Sequence, residues 1–168
     1  MQHIFDKAGV EYTWLDENQG VCCGRPMMLT GNMKAASVIV EKNLAIIKNS
    51  GAQLLVTSCP ICYKTFKEDY NLDIEVLHHS EYIDLLIREK ALHIRKSEVK
   101  TVFHNPCELG RGTGTYKAPE HVLQSVSNQV KTKYEGKNSL CCGGSLANNY
   151  ITSGNRTKLG EDAVNAYM

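Results

Sequence analysis

Residues 32–62, NMKAASVIVEKNLAIIKNSGAQLLVTSCPIC, carry the reading on which the fold turns. Apolar side chains recur at Ala36, Ile39, Val40, Leu44 and Ile47, the spacing of one helix face, so the pattern predicts a helix over 32–49. Ser50-Gly51 stops it, with glycine just past the last periodic residue. A β-type run at 53–57 follows, and then Pro60, which suits the first turn of a helix reaching about Asp69. Outward from this unit the same alternation continues. A strand is expected at 10–15 and at 74–77, a helix capped by Ser80 at 80–89, and strands at 100–103 and 130–134. Gly110-Arg-Gly-Thr-Gly114 reads as a loop, 119–126 as a helix, and the tail 159–168 as a helix. Strands alternating with helices imply an α/β fold, Rossmann-like in its layering, with mainly parallel strands and flanking helices.

Bulk properties narrow the function classes. With 168 residues and 42% of them hydrophobic, the chain has enough apolar mass for one domain or two small ones. Nineteen basic against 18 acidic residues leave a formal charge of +1, which argues against a nucleic-acid partner or a polybasic membrane tether. No apolar run is long enough to span a membrane, and the start Met1-Gln2-His3-Ile4-Phe5-Asp6 lacks signal-peptide features, so a cytoplasmic location is expected. Seven cysteines in such a chain read as reduced thiols, which fit ligands better than a disulfide scaffold.

Two of those cysteine groups are copies. Cys22-Cys23-Gly24 recurs as Cys141-Cys142-Gly143, and each is followed by a similar turn, Thr30-Gly31-Asn32 and Ser153-Gly154-Asn155, which would imply about four inserted residues in the second copy. Neighbouring cysteines make a strained disulfide, whereas two thiolates one residue apart reach adjacent atoms of a polynuclear cluster. The first copy leads on to Cys59-Pro-Ile-Cys62, and the second is preceded by Cys107, 34 residues upstream of Cys141. Each copy lacks a piece at one chain end, as a window onto a longer two-repeat protein would. Cys-x-x-Cys alone also suits a zinc half-site or a dithiol redox pair, and buried cysteines packing as small hydrophobes are the blandest reading. Adjacent ligands strain a single tetrahedral centre, which ranks zinc behind a cluster.

Val21-Cys-Cys-Gly-Arg-Pro26, Thr57-Ser-Cys-Pro-Ile-Cys62, His104-Asn-Pro-Cys107 with Leu109-Gly-Arg111, and Leu140-Cys-Cys-Gly-Gly144 together resemble the cysteine-rich CCG domain. That domain occurs in heterodisulfide reductases, in the iron-sulfur subunit of glycolate oxidase and in lactate-utilisation iron-sulfur proteins. The resemblance implies residues 1–98 as the C-terminal part of a first repeat and 99–168 as the N-terminal part of a second, both incomplete. It also implies an iron-sulfur electron-transfer oxidoreductase subunit, with a four-iron four-sulfur cluster ligated by Cys22, Cys23, Cys59 and Cys62 in one motif and by Cys107, Cys141 and Cys142 in the other. With one ligand lacking in the first motif and two in the second, the cluster in this chain is expected to be absent, labile or replaced by zinc. A flavoprotein or ferredoxin-type subunit is the implied partner, and any membrane association runs through partners.

Other residues carry weaker signals. His104, at the end of an expected strand, is a candidate for donating a proton or a hydrogen bond, or for bonding the turn backbone. Arg111 is a candidate for stabilising an anionic cluster or carboxylate. Gly110-Arg-Gly-Thr-Gly114 lacks the full phosphate-binding glycine series. His78-His79 reads as a cap or a core edge, and Met27-Met28 as packing around the site.

Overall fold

The structure, a computed structural model, describes residues 1–17, 21–144 and 150–168. The chain is a mixed α/β protein, about half helical, divided into two compact units, 1–95 and 96–168.

In the first unit α1 (Gln2–Lys7) and α2 (Arg25–Leu29) precede α3 (Met33–Ser50). Asn32 caps α3 by accepting from the Ala35 amide at 3.2 Å, and Gly51, at φ +68°, ends it as the sequence requires. Ala36, Asn43 and Ile47 form the buried line of this helix. β1 (Leu54–Thr57) pairs in parallel with β2 (Glu75–His78), Leu54 opposite Glu75 and Thr57 opposite His78. The crossover between them is α4 (Pro60–Glu68), with Cys59 at its N-cap and Pro60 in its first turn. α5 (His79–Arg88) follows β2 directly. Its cap is His78 rather than the expected Ser80: His78 Nδ1 accepts from the Ser80 amide at 3.4 Å, while Glu81 accepts from the His78 amide at 2.9 Å. The strand expected at 10–15 does not form, because no strand among the described residues pairs with it. Phe5 anchors α1 instead, packing edge-on against Tyr12 and Tyr82.

The second unit pairs β3 (Lys100–Thr101) in parallel with β4 (Asn128–Gln129). The strand expected at 130–134 is thus displaced toward the N-terminus. Buried Ser127 bonds the Thr101 hydroxyl at 2.7 Å and sets this register, and the ladder ends at the Val130 amide on the Thr101 carbonyl. Residues 110–114, expected as loop, begin with a single helical turn, α6 (Gly110–Thr113), closed by Gly114. α7 (Lys117–Val126), a 3-10 turn at Gly136–Asn138 and α8 (Ser153–Tyr167) complete the unit. α8 starts six residues before the expected helix because Thr152 caps it, accepting from the Asn155 amide.

That cap corrects the internal alignment. Asn32 corresponds to Thr152, not to Asn155, since each is the N-cap of the helix after its Cys-Cys-Gly. In both copies the glycine is left-handed and looks onto the carbonyl of the fourth helical residue: Gly24 onto Ala36 and Gly143 onto Arg156. The spacing differs by one residue rather than four. A Cβ at Gly24 would lie 3.8 Å from the Ala36 oxygen, but at Gly143 it would lie 2.8 Å from that of Arg156. Gly24→Ala should therefore cost about 1–2 kcal/mol, from backbone conformation alone, and Gly143→Ala about 1–3 kcal/mol more, from overpacking against backbone. Urea unfolding followed by far-ultraviolet circular dichroism checks this; equal losses in the two variants would refute the difference.

Candidate metal centre

Cys59 reaches its place because β1 ends at Thr57 and α4 starts at Pro60, which leaves the cysteine on the helix N-cap. Cys62 lies one turn further along α4 and hydrogen-bonds with both Cys59 and Cys23. Cys23 comes from the loop before α2 and is 4% exposed. Cys62 of the first unit thus lies between Cys23 and Cys59, interacting with each. The Cys62 S–H favours thiolate at Cys59, and the Ile61 and Cys62 amides add to it, so Cys59 is held well below the ordinary thiol range. Cys23 is lowered first by Cys62 and then by the Arg25 amide and the Thr65 hydroxyl, against burial. Cys62, whose one S–H is favoured by the thiolate of either neighbour, is driven up.

The vicinal cysteine peptides are tied down from the helix behind them. Asn43 donates from Nδ2 to the Cys22 carbonyl at 3.0 Å and to the Tyr70 hydroxyl at 2.8 Å. Tyr70 in turn donates to the Cys23 carbonyl at 3.0 Å. Burial raises the Tyr70 phenol above its ordinary value, with Cys23, Cys22 and Cys62 adding to the shift, so it remains a donor. Both ties reach residues the sequence reading passed over. Asn43 was detectable as a polar residue on the apolar face of α3, seven positions after Ala36; Tyr70 lies beyond the end of α4 and gave no periodic signal. Cys22, the fourth expected thiol, is exposed.

In the second unit Cys107 follows β3 and sits beside Arg111 and Cys141; burial, followed by Glu108 and Cys141, pushes its thiol up. Cys141 and Cys142 are exposed. His104 and Arg111 are both engaged on the loop that leads into them. His104 Nε2 bonds the Leu140 carbonyl at 2.8 Å, and Arg111 donates to the Ser139 carbonyl at 2.6 Å and to that of Lys137 at 3.3 Å. Asn105 accepts from the Gly136 amide, and its carbonyl accepts from buried Ser139. Tyr167 of α8 accepts from the Leu140 amide and donates to the Tyr134 carbonyl. The turn carrying Cys107 is zipped to the loop carrying Cys141 by side chains bonding backbone.

Among the described residues no three His, Cys, Asp or Glu side chains are arranged to hold a metal ion as they stand. The donor chemistry of the first unit nevertheless suits a thiophilic group: soft sulfur ligands, two with thiolate favoured, on rigid backbone. No helix among the described residues is long and apolar enough to cross a membrane.

Comparison with known proteins places this arrangement. Residues 1–67 and 101–167 match the profile of the family described as the CCG cysteine-rich domain. The chain is 30% identical over 152 residues to a subunit of the dihydromethanophenazine:CoB–CoM heterodisulfide reductase of Methanosarcina acetivorans, covering 83% of this chain and 37% of that protein. It is 31% identical over 166 residues to the EtfAB:quinone oxidoreductase of Syntrophomonas wolfei, covering 96% of this chain and 22% of that protein. An uncharacterised iron-sulfur protein of Methanocaldococcus jannaschii is 32% identical over 130 residues, 77% of this chain and 25% of that protein. This chain thus spans roughly a third or less of the length of these relatives. No solved structure gave a significant match. With its two matched segments, its paired Cys-Cys-Gly turns and the thiols gathered beside the first of them, the chain belongs to the cysteine-rich CCG domain family.

Proposed function

We propose that this chain is part of an iron-sulfur electron-transfer subunit of an oxidoreductase, and that the first unit is its better-formed cluster site. The observation that carries the reading is the contact of Cys62 with both Cys23 and Cys59 beside the α4 N-terminus. Cys22, Cys23, Cys59 and Cys62 would hold a four-iron four-sulfur cluster there, and Cys107, Cys141 and Cys142 would contribute to a second. When bound, such a cluster takes up and releases single electrons. The relatives' names support a role within a multi-subunit assembly; in this reading the partner is a flavoprotein or ferredoxin-type subunit, the location is the cytoplasm, and any membrane association runs through partners. Residues 1–98 and 99–168 are read as parts of successive repeats, each contributing a parallel strand pair to Rossmann-like layering.

The chain's own groups prepare the site. Thiols bind iron as thiolates, so protons leave on binding. Cys59 and Cys23 release theirs readily, and Cys62 holds the proton that resists. His104 and Arg111 act by position in this reading, fixing the loop before Cys141 against the Cys107 turn. A second reading, a dithiol redox pair, draws on the Cys59–Cys62 hydrogen bond and predicts reversible oxidation of those two sulfurs in metal-free protein.

Anaerobic reconstitution with ferrous iron and sulfide, followed by metal and sulfide analysis and a visible spectrum, tests the cluster. Iron and sulfide should bind as a labile cluster, as the incomplete ligand sets imply, and Cys23→Ala, Cys59→Ala and Cys62→Ala should each lose most of it, while Cys107→Ala should retain the larger share. Stoichiometric zinc with no iron or sulfide uptake would overturn the proposal. The thiols also set a pH dependence in the metal-free chain. Cys59 is depressed from its ordinary 9.0, so the stability from its ionisation is complete above 9.0 and declines as pH falls toward its folded value. The urea midpoint should rise from about pH 7 to 8.5, and Cys59→Ser should flatten that rise.

A further inference from the structure

Leu140 immediately precedes Cys141, and both of its backbone groups are taken by side chains. His104 Nε2 lies 2.8 Å from its carbonyl, and its amide donates to the Tyr167 hydroxyl at 3.3 Å. A carbonyl only accepts, so Nε2 carries the hydrogen of that bond. Tyr167 gives its own hydrogen to the Tyr134 carbonyl at 2.9 Å and so meets the Leu140 amide with a lone pair. Buried Ser139, 3.0 Å from the same hydroxyl, spends its hydrogen on the Asn105 carbonyl. The His104 and Tyr167 rings also pack edge-on at 5.8 Å. The peptide groups on the two sides of the Leu140 Cα are each held by a different element. Peptides are planar, so this fixes both soft angles of Leu140 and with them the direction in which the chain enters Cys141.

Comparison of the two copies shows where this tie came from. Counted from the N-caps Asn32 and Thr152, Val40 of α3 corresponds to Gly160 of α8, Asn43 to Ala163 and Ile47 to Tyr167. In α3 the polar member of the buried line is Asn43, which reaches the Cys22 carbonyl. In α8 that place is the buried Ala163, and the polar group stands one turn further on, at Tyr167. Its tie falls one residue earlier in the cysteine loop, on Leu140, the counterpart of Val21. The first part of α8 is packed against the same loop by backbone. A Cβ at Gly160 would lie 3.4 Å from the Cys142 carbonyl oxygen, and one at Gly143 would lie 2.8 Å from that of Arg156. Thus α8 meets the Cys-Cys-Gly segment with backbone at 142–143 and with a hydroxyl at 140.

We infer that Tyr167 is a positioning residue of the second thiol pair: together with His104 it fixes the Leu140 backbone and so aims Cys141, as Asn43 does for the first pair. The Cys141 sulfur, so placed, accepts from the Gly143 amide at 3.4 Å and closes the turn. The value of this arrangement to a cluster rests on the function proposed above; the positioning itself does not.

Amide hydrogen exchange in the metal-free full chain, followed by NMR, tests it. Tyr167→Phe keeps the ring and removes the hydroxyl. Exchange at Leu140 should quicken about fivefold relative to Val130, the loss of one hydrogen bond. Val130 serves as reference because its amide bonds the Thr101 carbonyl in the same unit. Gly143, whose amide bonds the Cys141 sulfur rather than Tyr167, should quicken as well, because that sulfur is no longer aimed. His104→Phe should also quicken Gly143, and the double variant by less than the product of the two, since the second loss finds Leu140 already released. Tyr134→Phe, which removes a neighbouring hydroxyl and keeps the carbonyl, should change neither amide. A wild-type Gly143 rate in Tyr167→Phe would overturn the inference, as would equal quickening at Val130, the same quickening in Tyr134→Phe, or single effects that multiply in the double variant. Because no metal enters the assay, such a failure is distinct from a failure to take up iron, which would leave the exchange rates informative.

Discussion

Two hydrogen bonds, one buried from Tyr70 to the Cys23 carbonyl and one partly buried from Asn43 to the Cys22 carbonyl, hold the vicinal cysteines against α3. Nearly everything else about the first unit's site follows from them. Asn43 has two amide hydrogens and uses them on two different acceptors, and Tyr70 passes the second on, so both consecutive peptides are fixed by one helical residue and its partner. With the backbone fixed, the alternation of side chains sends Cys23 inward to Cys62 and leaves Cys22 outward. Loss of either donor would leave a buried group unsatisfied, which costs more than the bond itself contributes. The site thus depends on the α3 face as much as on the cysteines.

The second unit solves the same problem with different parts. Its Cys-Cys-Gly loop is held from the front, by His104, Asn105 and Arg111 of the Cys107 turn, and by Tyr167 at the far end of α8. These side chain to backbone bonds are individually modest and at least partly buried, with Asn105 and Ser139 both buried, while the thiols they support, Cys141 and Cys142, are exposed. In the first unit the corresponding support is buried, with Asn43 and Tyr70 nearly inaccessible. The contrast lies in the thiols: Cys23 of the first loop is buried, whereas Cys141 and Cys142 of the second are exposed.

The central unit of the fold was legible because its signals were local and mutually consistent. The apolar stripe of α3, its Gly51 stop, the β1 run and Pro60 all pointed one way, and each element formed within a few residues of its expected place. The failures have specific causes. Residues 10–15 have strand composition, but a strand needs a partner, and none among the described residues pairs with them. The register of β4 is set by the hydroxyl pair Thr101–Ser127, a tertiary contact invisible to periodicity. The cysteines were found by repetition and spacing. Asn43, Tyr70 and Tyr167 were not, since a residue that bonds a backbone carbonyl from another element leaves no pattern in the sequence. The His78-His79 pair was read as a cap or a core edge and Ser80 as the cap of α5, whereas His78 is that cap; what the sequence could not supply was its place opposite Thr57.

The locked vicinal peptides also bear on what the site can hold. A single tetrahedral ion needs its sulfur ligands to converge on one point about 2.3 Å from each. Cys23 is nearly inaccessible and turned toward Cys62, whereas Cys22 stands exposed on the neighbouring residue, its peptide held by the same asparagine. Bringing both sulfurs to one ion would require at least one of them to turn from its present direction, while Asn43 and Tyr70 hold the two carbonyls in place. A ligand with several metal atoms removes the conflict, because sulfurs that diverge from one backbone can each meet a different atom of it. In the function proposed above, the doubled cysteine suits a ligand of that size, and Gly24, left-handed and close under α3, lets the chain turn sharply beside both thiols.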